Sequence, residues 1–286
     1  MISYHEMIKE AEKRASQTAI SLSSIKLLMY ELTQANDIDL YANYHKEVDP
    51  KIATLFTEGL NRLLDDEPLA YVLGYQWFYG RKLKVNEHVF IPRYETEELC
   101  AYILEVIDEH FSANESLAVA DVACGSGAIA ITLACEEKKI TCYASELNPN
   151  TLEVAKLNAL DNGADITFFN GDMLQPLIDN NIKLDILVSN PPYIKTSEDL
   201  DRSVVDFEPN MALFGGEDGL MFYRIILSQA HKVLNERALL AFEIGYQQKE
   251  ELLLLAKEYF PDQIAEVIKD LNGKDRMLFV YVNLSE

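Results

Sequence analysis

The sequence predicts an α/β protein in which a small helical bundle and a β-hairpin precede a doubly wound, mostly parallel sheet. Three observations carry this. Residues 1 to about 73 hold only helical periodicities, residues 76–91 alternate aromatic and aliphatic side chains around Gly80 and Asn86, and beyond residue 93 apolar runs of strand length alternate with helical runs. A chain of 286 residues with 49% hydrophobic content suffices for one ordinary domain plus a smaller one.

The helical part begins with Tyr4 to Ala15, followed by Ser23 to Ala35, where Ile25, Leu27, Leu28, Tyr30 and Leu32 recur periodically. A third helix starts at Asp49-Pro50, because Asp caps a helix N-terminus and Pro suits the first helical position. Ile52, Leu55, Phe56, Leu60, Leu63 and Leu64 give it one apolar face for a bundle. We therefore expect a helical domain over 1–75, a hairpin linker over 76–92 and a third segment over 93–286. In the last, strands are expected at Leu117–Val122, Ile140–Ser145, Ile166–Phe169, Leu184–Ser189, Leu239–Ile244, Ile264–Ile268 and Met277–Val282. Helices are expected at Glu95–Phe111, Ala128–Glu137, Pro149–Asn162, Leu220–Leu234 and Gln248–Phe260.

Charge and cysteine usage narrow the function classes. The formal net charge is −22, and residues 1–92 contain 13 acidic and 10 basic residues, so 34 acidic and 15 basic, a net −19, fall in 93–286. Such a segment is a poor partner for a polyanion. Cys100, Cys124, Cys135 and Cys142 form no C-x-x-C pair, and no His/Cys cluster has zinc-ligand spacing, so a reduced chain without a structural metal is expected. The N-terminus shows no signal-peptide pattern and no apolar run of spanning length is uninterrupted, which predicts a soluble cytoplasmic protein.

In open α/β sheets, ligands bind beyond the carboxyl ends of the strands, and four strand ends stand out. The first is Asp121-Val122-Ala123-Cys124-Gly125-Ser126-Gly127-Ala128, whose glycines permit a tight turn and close approach of a ligand to the backbone. With Ala130 it also satisfies the dinucleotide pattern, so the loop by itself does not choose the cofactor. The second is Glu146, 19 residues past Gly127, near the usual offset of an acid that binds ribose hydroxyls. The third, Asn170-Gly171-Asp172-Met173, offers a carboxylate for an adenine amino group, although turn formation explains the same residues equally well. The fourth is Ser189-Asn190-Pro191-Pro192-Tyr193. Two prolines after an apolar strand remove two backbone donors and leave carbonyls as acceptors. An Asn oxygen and a Pro carbonyl then bind both hydrogens of a planar NH₂ group, while Tyr193 covers its flat face. An acceptor pair of this kind suits a reaction in which an amide or amino nitrogen attacks a methyl sulfonium.

At this point the residues carry a family resemblance. The chain resembles the release factor glutamine N5-methyltransferases through Glu67-Pro68, Tyr71 and Gly74, Phe78-Tyr79-Gly80, Ile91-Pro92-Arg93-Tyr94-Glu95-Thr96-Glu97 and the glycine loop. The likeness continues through Asn190-Pro191-Pro192-Tyr193, Glu208-Pro209, Ala212 to Leu220, Glu243-Ile244-Gly245-Tyr246, Asp270-Leu271, Gly273 and Asp275-Arg276. It implies a Rossmann-like class I methyltransferase sheet of seven strands with the last antiparallel, and an N-terminal helical domain that recognises the release factor. It also implies S-adenosylmethionine as cofactor and, as protein substrate, the glutamine of the Gly-Gly-Gln motif in class I release factors. The cofactor would be held by Asp121, Ala123, Cys124, Gly125, Ser126, Gly127, Glu146, Asp172, Met173 and Asn190, and the substrate amide by Asn190, Pro191, Pro192 and Tyr193, with no metal. Three positions depart from the family pattern: Ala123-Cys124 replaces Gly-Thr, Glu146 replaces the commoner Asp, and Tyr94 replaces a second Pro. An adenine N6-methyltransferase would use the same clamp but needs a basic groove, and a nicotinamide dehydrogenase would not need Asn190-Pro191-Pro192-Tyr193.

Overall fold

The computed structural model describes all residues except 1, 19, 113–115, 285 and 286. They form two compact units, one of Met1–Tyr75 with Leu200–Phe207 and one of Gln76–Asp199 with Glu208–Glu286.

The first unit contains α1 (Tyr4–Ala15), α2 (Leu22–Gln34), α3 (Pro50–Leu64) and the short α4 (Leu69–Leu73). Ser3 and Glu6 form a reciprocal capping box on α1, and the Asp49 side chain accepts from the Lys51 and Ile52 amides at the start of α3. The core includes Ile8, Ile25, Leu28, Met29, Ile52, Phe56, Leu60 and Leu63. In α2 the buried stripe runs through Ile25, Leu28 and Met29, while Leu27 and Tyr30 face outward. The apolar count of this helix therefore exceeds the face it buries.

In the second unit the hairpin is shorter than expected: β1 (Tyr75–Phe78) and β2 (Arg81–Lys84) join through Tyr79-Gly80. Both turn residues have positive φ, +48 and +73, as a two-residue turn matched to strand twist requires. Residues 85–92 form an irregular segment. Then come α5 (Tyr94–His110), β3 (Leu117–Val122), α6 (Ala128–Glu136), β4 (Ile140–Glu146), α7 (Pro149–Asn162), β5 (Ile166–Asn170), α8 (Gln175–Asp179) and β6 (Leu184–Ser189). The chain continues with α9 (Arg202–Val205, in the first unit), α10 (Met221–Ala230), β7 (Leu234–Glu243), α11 (Lys249–Tyr259), β8 (Ile264–Lys269) and β9 (Asp275–Val282).

The sheet has seven strands in the order β5-β4-β3-β6-β7-β9-β8, parallel except that β9 runs antiparallel to β7 and β8. Alternation along each strand feeds two cores. Ala120, Leu187, Leu240 and Phe242 pack with Tyr223 of α10 and Leu252 of α11, while Val119, Ile186, Val188, Leu239 and Ala241 pack with Leu99 and Ile103 of α5. The helix expected to reach Leu234 ends at Ala230, because Leu234 already pairs with Leu184 at the start of β7. Val233 and Leu234 continue the helical spacing of Ile226, Leu227 and Ala230, so periodicity could not separate helix from strand. Strand order reverses between neighbours β3 and β6, which places a switch point at the two loops with the most unusual sequences.

Candidate active site

A pocket opens at this switch point. It is lined by Asp121, Ala123, Cys124, Gly125, Ser126, Glu146, Met173, Asn190, Pro191, Pro192 and Tyr193 of the expected site. Gly127 and Asp172 lie outside the lining. Gly127 is the N-cap of α6 at φ +81, where a Cβ would meet Ile131 at 3.2 Å and Ala155 at 3.4 Å, so its smallness lets α6 approach α7. Asp172 is exposed, and its carbonyl accepts from the Gln175 amide in the turn that starts α8.

Side chains at the strand ends stitch the loops together. Ser145 donates to the Met173 carbonyl at 2.8 Å and Ser189 to the Val122 carbonyl at 2.5 Å, while the Cys124 amide donates to the Ser145 carbonyl at 3.0 Å. Glu146 receives the Gly125 amide at 3.1 Å on one oxygen and the Asn148 amide at 2.9 Å on the other. Burial raises its pKa against those amide bonds. Asp121 accepts from the Ala130 amide at 3.1 Å through Oδ2, whereas its buried Oδ1 has no hydrogen-bond partner. Burial pushes the Asp121 carboxyl up to about 8. Behind the loop, fully buried Asn158 of α7 accepts from the Lys84 amide at 2.7 Å and donates at 3.0 Å to the carbonyls of both Lys84 and Ser126. Strand β2 and the glycine loop thus share one anchor.

The loop that follows α9 is built against Asn190-Pro191-Pro192-Tyr193. Ile194 pairs with Phe214 in a short parallel bridge, with the Ile194 amide donating to the Leu213 carbonyl at 3.0 Å and the Gly215 amide to the Ile194 carbonyl at 2.8 Å. A Cβ on Gly215 would stand 2.5 Å from the Pro192 carbonyl, and one on Gly219 2.3 Å from that of Tyr193, so only glycine allows this approach. Gln248 ties three loops: its amide nitrogen donates to the Tyr193 carbonyl at 3.1 Å and the Gly219 carbonyl at 3.2 Å, and its oxygen accepts the Gly245 amide at 2.9 Å. Buried Glu208 accepts from the Ile91 amide at 3.1 Å and from Arg93 at 2.5 Å, fixing the segment that leads into α5. Asn190 donates to Thr96 at 3.3 Å, Thr96 donates to Glu243 at 2.5 Å, and the Tyr193 hydroxyl donates to the other Glu243 oxygen at 3.3 Å.

Known proteins resemble this sequence over nearly its whole length. A release factor glutamine methyltransferase of Bacillus anthracis is 41% identical over 97% of this chain and 99% of its own length. The chain belongs to the release factor glutamine methyltransferase family. Its Bacillus subtilis (strain 168) member is 35% identical over 97% of each chain. Residues 6–74 match the PrmC N-terminal domain and residues 102–207 the methyltransferase small domain. The crystal structure of a methyltransferase from Pyrococcus furiosus covers 79% of this chain and 98% of its own with TM-score 0.51 at 17% identity, a likeness of fold.

Thr96, Asn158, Glu208, Glu243 and Gln248 were not singled out as site residues by sequence reasoning. Their signal is a polar side chain almost fully buried, and recognising it requires knowing which parts of the chain face inward. Thr96, Glu208 and Glu243 do stand in segments that carry the family resemblance, but those segments assign them no role.

Proposed function

We propose that this protein transfers a methyl group from S-adenosylmethionine to the side-chain amide nitrogen, N5, of the glutamine in the Gly-Gly-Gln motif of class I release factors. The observation that carries the reading is the convergence of the Asn190-Pro191-Pro192-Tyr193 turn and the glycine loop on one pocket at the switch point. The donor set fits the cofactor. Asp121 presents a buried, unpartnered carboxyl oxygen that, once ionised, suits an ammonium group, and at Gly125, φ +55, a Cβ would meet nothing within 4 Å, so the backbone is open to a ligand. Glu146 at the end of β4 lines the same pocket and is the carboxylate we assign to the ribose hydroxyls, and Met173 supplies an apolar wall. When bound, S-adenosylmethionine supplies an electrophilic methyl sulfonium.

The chain's own residues orient the nucleophile. An amide nitrogen is weakly nucleophilic because its lone pair is delocalised, so the site must hold it toward the methyl group and stabilise N–H groups that become more acidic as charge develops. Asn190 Oδ1 and the carbonyl of Pro191 are the acceptors for this, and Tyr193 covers the amide plane. The Tyr193 hydroxyl is kept protonated by burial and the nearby Glu243 charge, so it serves as donor and wall rather than base. We assign recognition of the release factor to the helical unit and chemistry to the sheet unit.

Asn190→Ala tests the clamp. Loss of one oriented acceptor at a developing charge costs about 10²–10³ in turnover, so single-turnover methylation of a release factor should fall by that factor while the cofactor dissociation constant changes far less. Methylation by Asn190→Ala at the wild-type rate would remove the clamp from the mechanism.

A further inference from the structure

We propose that Thr96 and Glu243 are positioning residues that fix which way round the Asn190 amide sits, so that its oxygen and not its nitrogen faces the substrate. The proposal rests on the reading of Asn190 as the acceptor for the glutamine amide. An asparagine side chain has nearly the same shape in either orientation, with a donor at one end and an acceptor at the other. Packing alone does not choose between them, whereas the clamp works only with Oδ1 toward the pocket.

The choice follows from a one-way chain of hydrogen bonds. An ionised carboxylate only accepts, so Glu243 must receive the single hydroxyl proton of Thr96, at 2.5 Å. With that proton committed, the Thr96 oxygen can only accept from Asn190, which therefore turns Nδ2 toward it at 3.3 Å and leaves Oδ1 for the pocket. The other oxygen of the same carboxylate accepts from the Tyr193 hydroxyl at 3.3 Å. One charge at the end of β7 thus anchors the first and last residues of the turn. Thr96 and Glu243 are 4% and 2% exposed, so water does not compete for these bonds.

Protonation of Glu243 would reverse the chain. A protonated carboxyl can donate to Thr96, whose hydrogen is then free to turn toward Asn190 and invite its oxygen inward. Several groups surround Glu243. Burial favours its neutral form, the Thr96 and Tyr193 hydrogen bonds and the charge of Arg276 favour the ionised form, and Glu95 opposes ionisation. Cys100 and Tyr223, both buried and neutral, also face it, and Tyr223 donates to the Glu243 backbone carbonyl at 2.6 Å. The net effect raises the Glu243 pKa above its ordinary value, which brings the reversal toward the working pH.

The test compares Thr96→Val, Thr96→Ser and Glu243→Gln with wild type in full-length protein. It measures kcat and KM for a release factor across acid to neutral pH, together with the S-adenosylmethionine dissociation constant and the melting temperature. Thr96→Val keeps shape but removes the relay, and should lower kcat by about 10- to 100-fold, the scale of mis-setting a group that acts on a reacting atom. Cofactor affinity should stay within about twofold, because the relay acts on the clamp and not on the glycine loop. Thr96→Ser should restore most of the rate. With S-adenosylmethionine saturating at each pH, so that Asp121 and Glu146 do not enter, the wild-type kcat should fall on the acid side as Glu243 protonates, and this acid limb should be absent from Glu243→Gln, which has nothing to titrate at that position. A wild-type rate and an unchanged acid limb in Thr96→Val would overturn the proposal. A loss that Thr96→Ser fails to restore would do so as well, since it would point to packing. Failure of the wild-type enzyme to methylate release factor glutamine would instead overturn the functional reading, and the positioning proposal with it.

Discussion

Ala123 occupies a left-handed backbone position, φ +60, in the turn between β3 and α6. A side chain there costs about 1–2 kcal/mol relative to an allowed region, because Cβ crowds the following carbonyl. The departure from glycine at this position thus has a measurable consequence: Ala123→Gly should stabilise the protein by about 1 kcal/mol, seen as a higher melting temperature with the site intact. Tyr94 is a milder departure, since it is the first residue of α5, where proline is merely well suited and its absence leaves the helix formed. Asp121 gives a pH-dependent prediction. Its carboxyl rises from 3.8 to about 8 on folding, so between those values the folded state holds a proton that the unfolded state has lost. Cofactor-free stability from this group is therefore present at low pH and declines as pH rises through that window, by up to about 1.4 kcal/mol per pH unit for one proton. Asp121→Asn lacks this slope, and melts at pH 5, 6.5 and 8 should show its advantage over wild type growing with pH. A constant difference would contradict the buried, protonated carboxyl. The placement of strand-end residues such as Asn190 and Glu146 around one pocket was legible because a local motif carries them. The hydrogen bonds of Thr96 and Glu243 were not, because they join positions 94 and 147 residues apart along the chain.

Among the elements, the strands of the sheet were the most legible, since a buried parallel strand must be an apolar run and few other structures need one. The short α4, α8 and α9, of 4 or 5 residues, were not, because a single turn carries no periodicity. The hairpin was read too long for a related reason: Val85, Val89 and Ile91 are buried in irregular backbone, and alternation there reflects packing rather than a ladder. Another consequence at this scale concerns the loop packed against Tyr193. Gly219 has φ +76, and a Cβ there would stand 2.3 Å from the Tyr193 carbonyl and 2.6 Å from the Gln248 side chain. Gly219→Ala should push the loop away from Tyr193, break the Gln248 bonds at a cost of about 1–3 kcal/mol each if left unsatisfied, and remove methyl transfer. Gly163→Ala serves as control, since that residue caps α7 at similar φ with nothing within 4 Å of its Cβ. Equal activity loss in the two variants would show that backbone strain, not the contact with Tyr193, is responsible.

Across the whole molecule, a net charge of −22 and the clamp we propose for a planar NH₂ group point in one direction. The clamp chemistry suits an exocyclic amine of adenine as well as a glutamine amide, but a polyanion would meet a surface of its own sign. Among the described residues no helix is long and apolar enough to cross a membrane. The central claim is that the substrate is a protein side-chain amide, and the most direct measurement is mass spectrometry after incubation with methyl-labelled S-adenosylmethionine. A class I release factor and an equimolar mixture of DNA and RNA would be offered together in the same reaction. The account predicts one labelled methyl group per release factor, located on the side-chain nitrogen of the Gly-Gly-Gln glutamine, and none on adenine. Label on adenine with an unmodified release factor would contradict it.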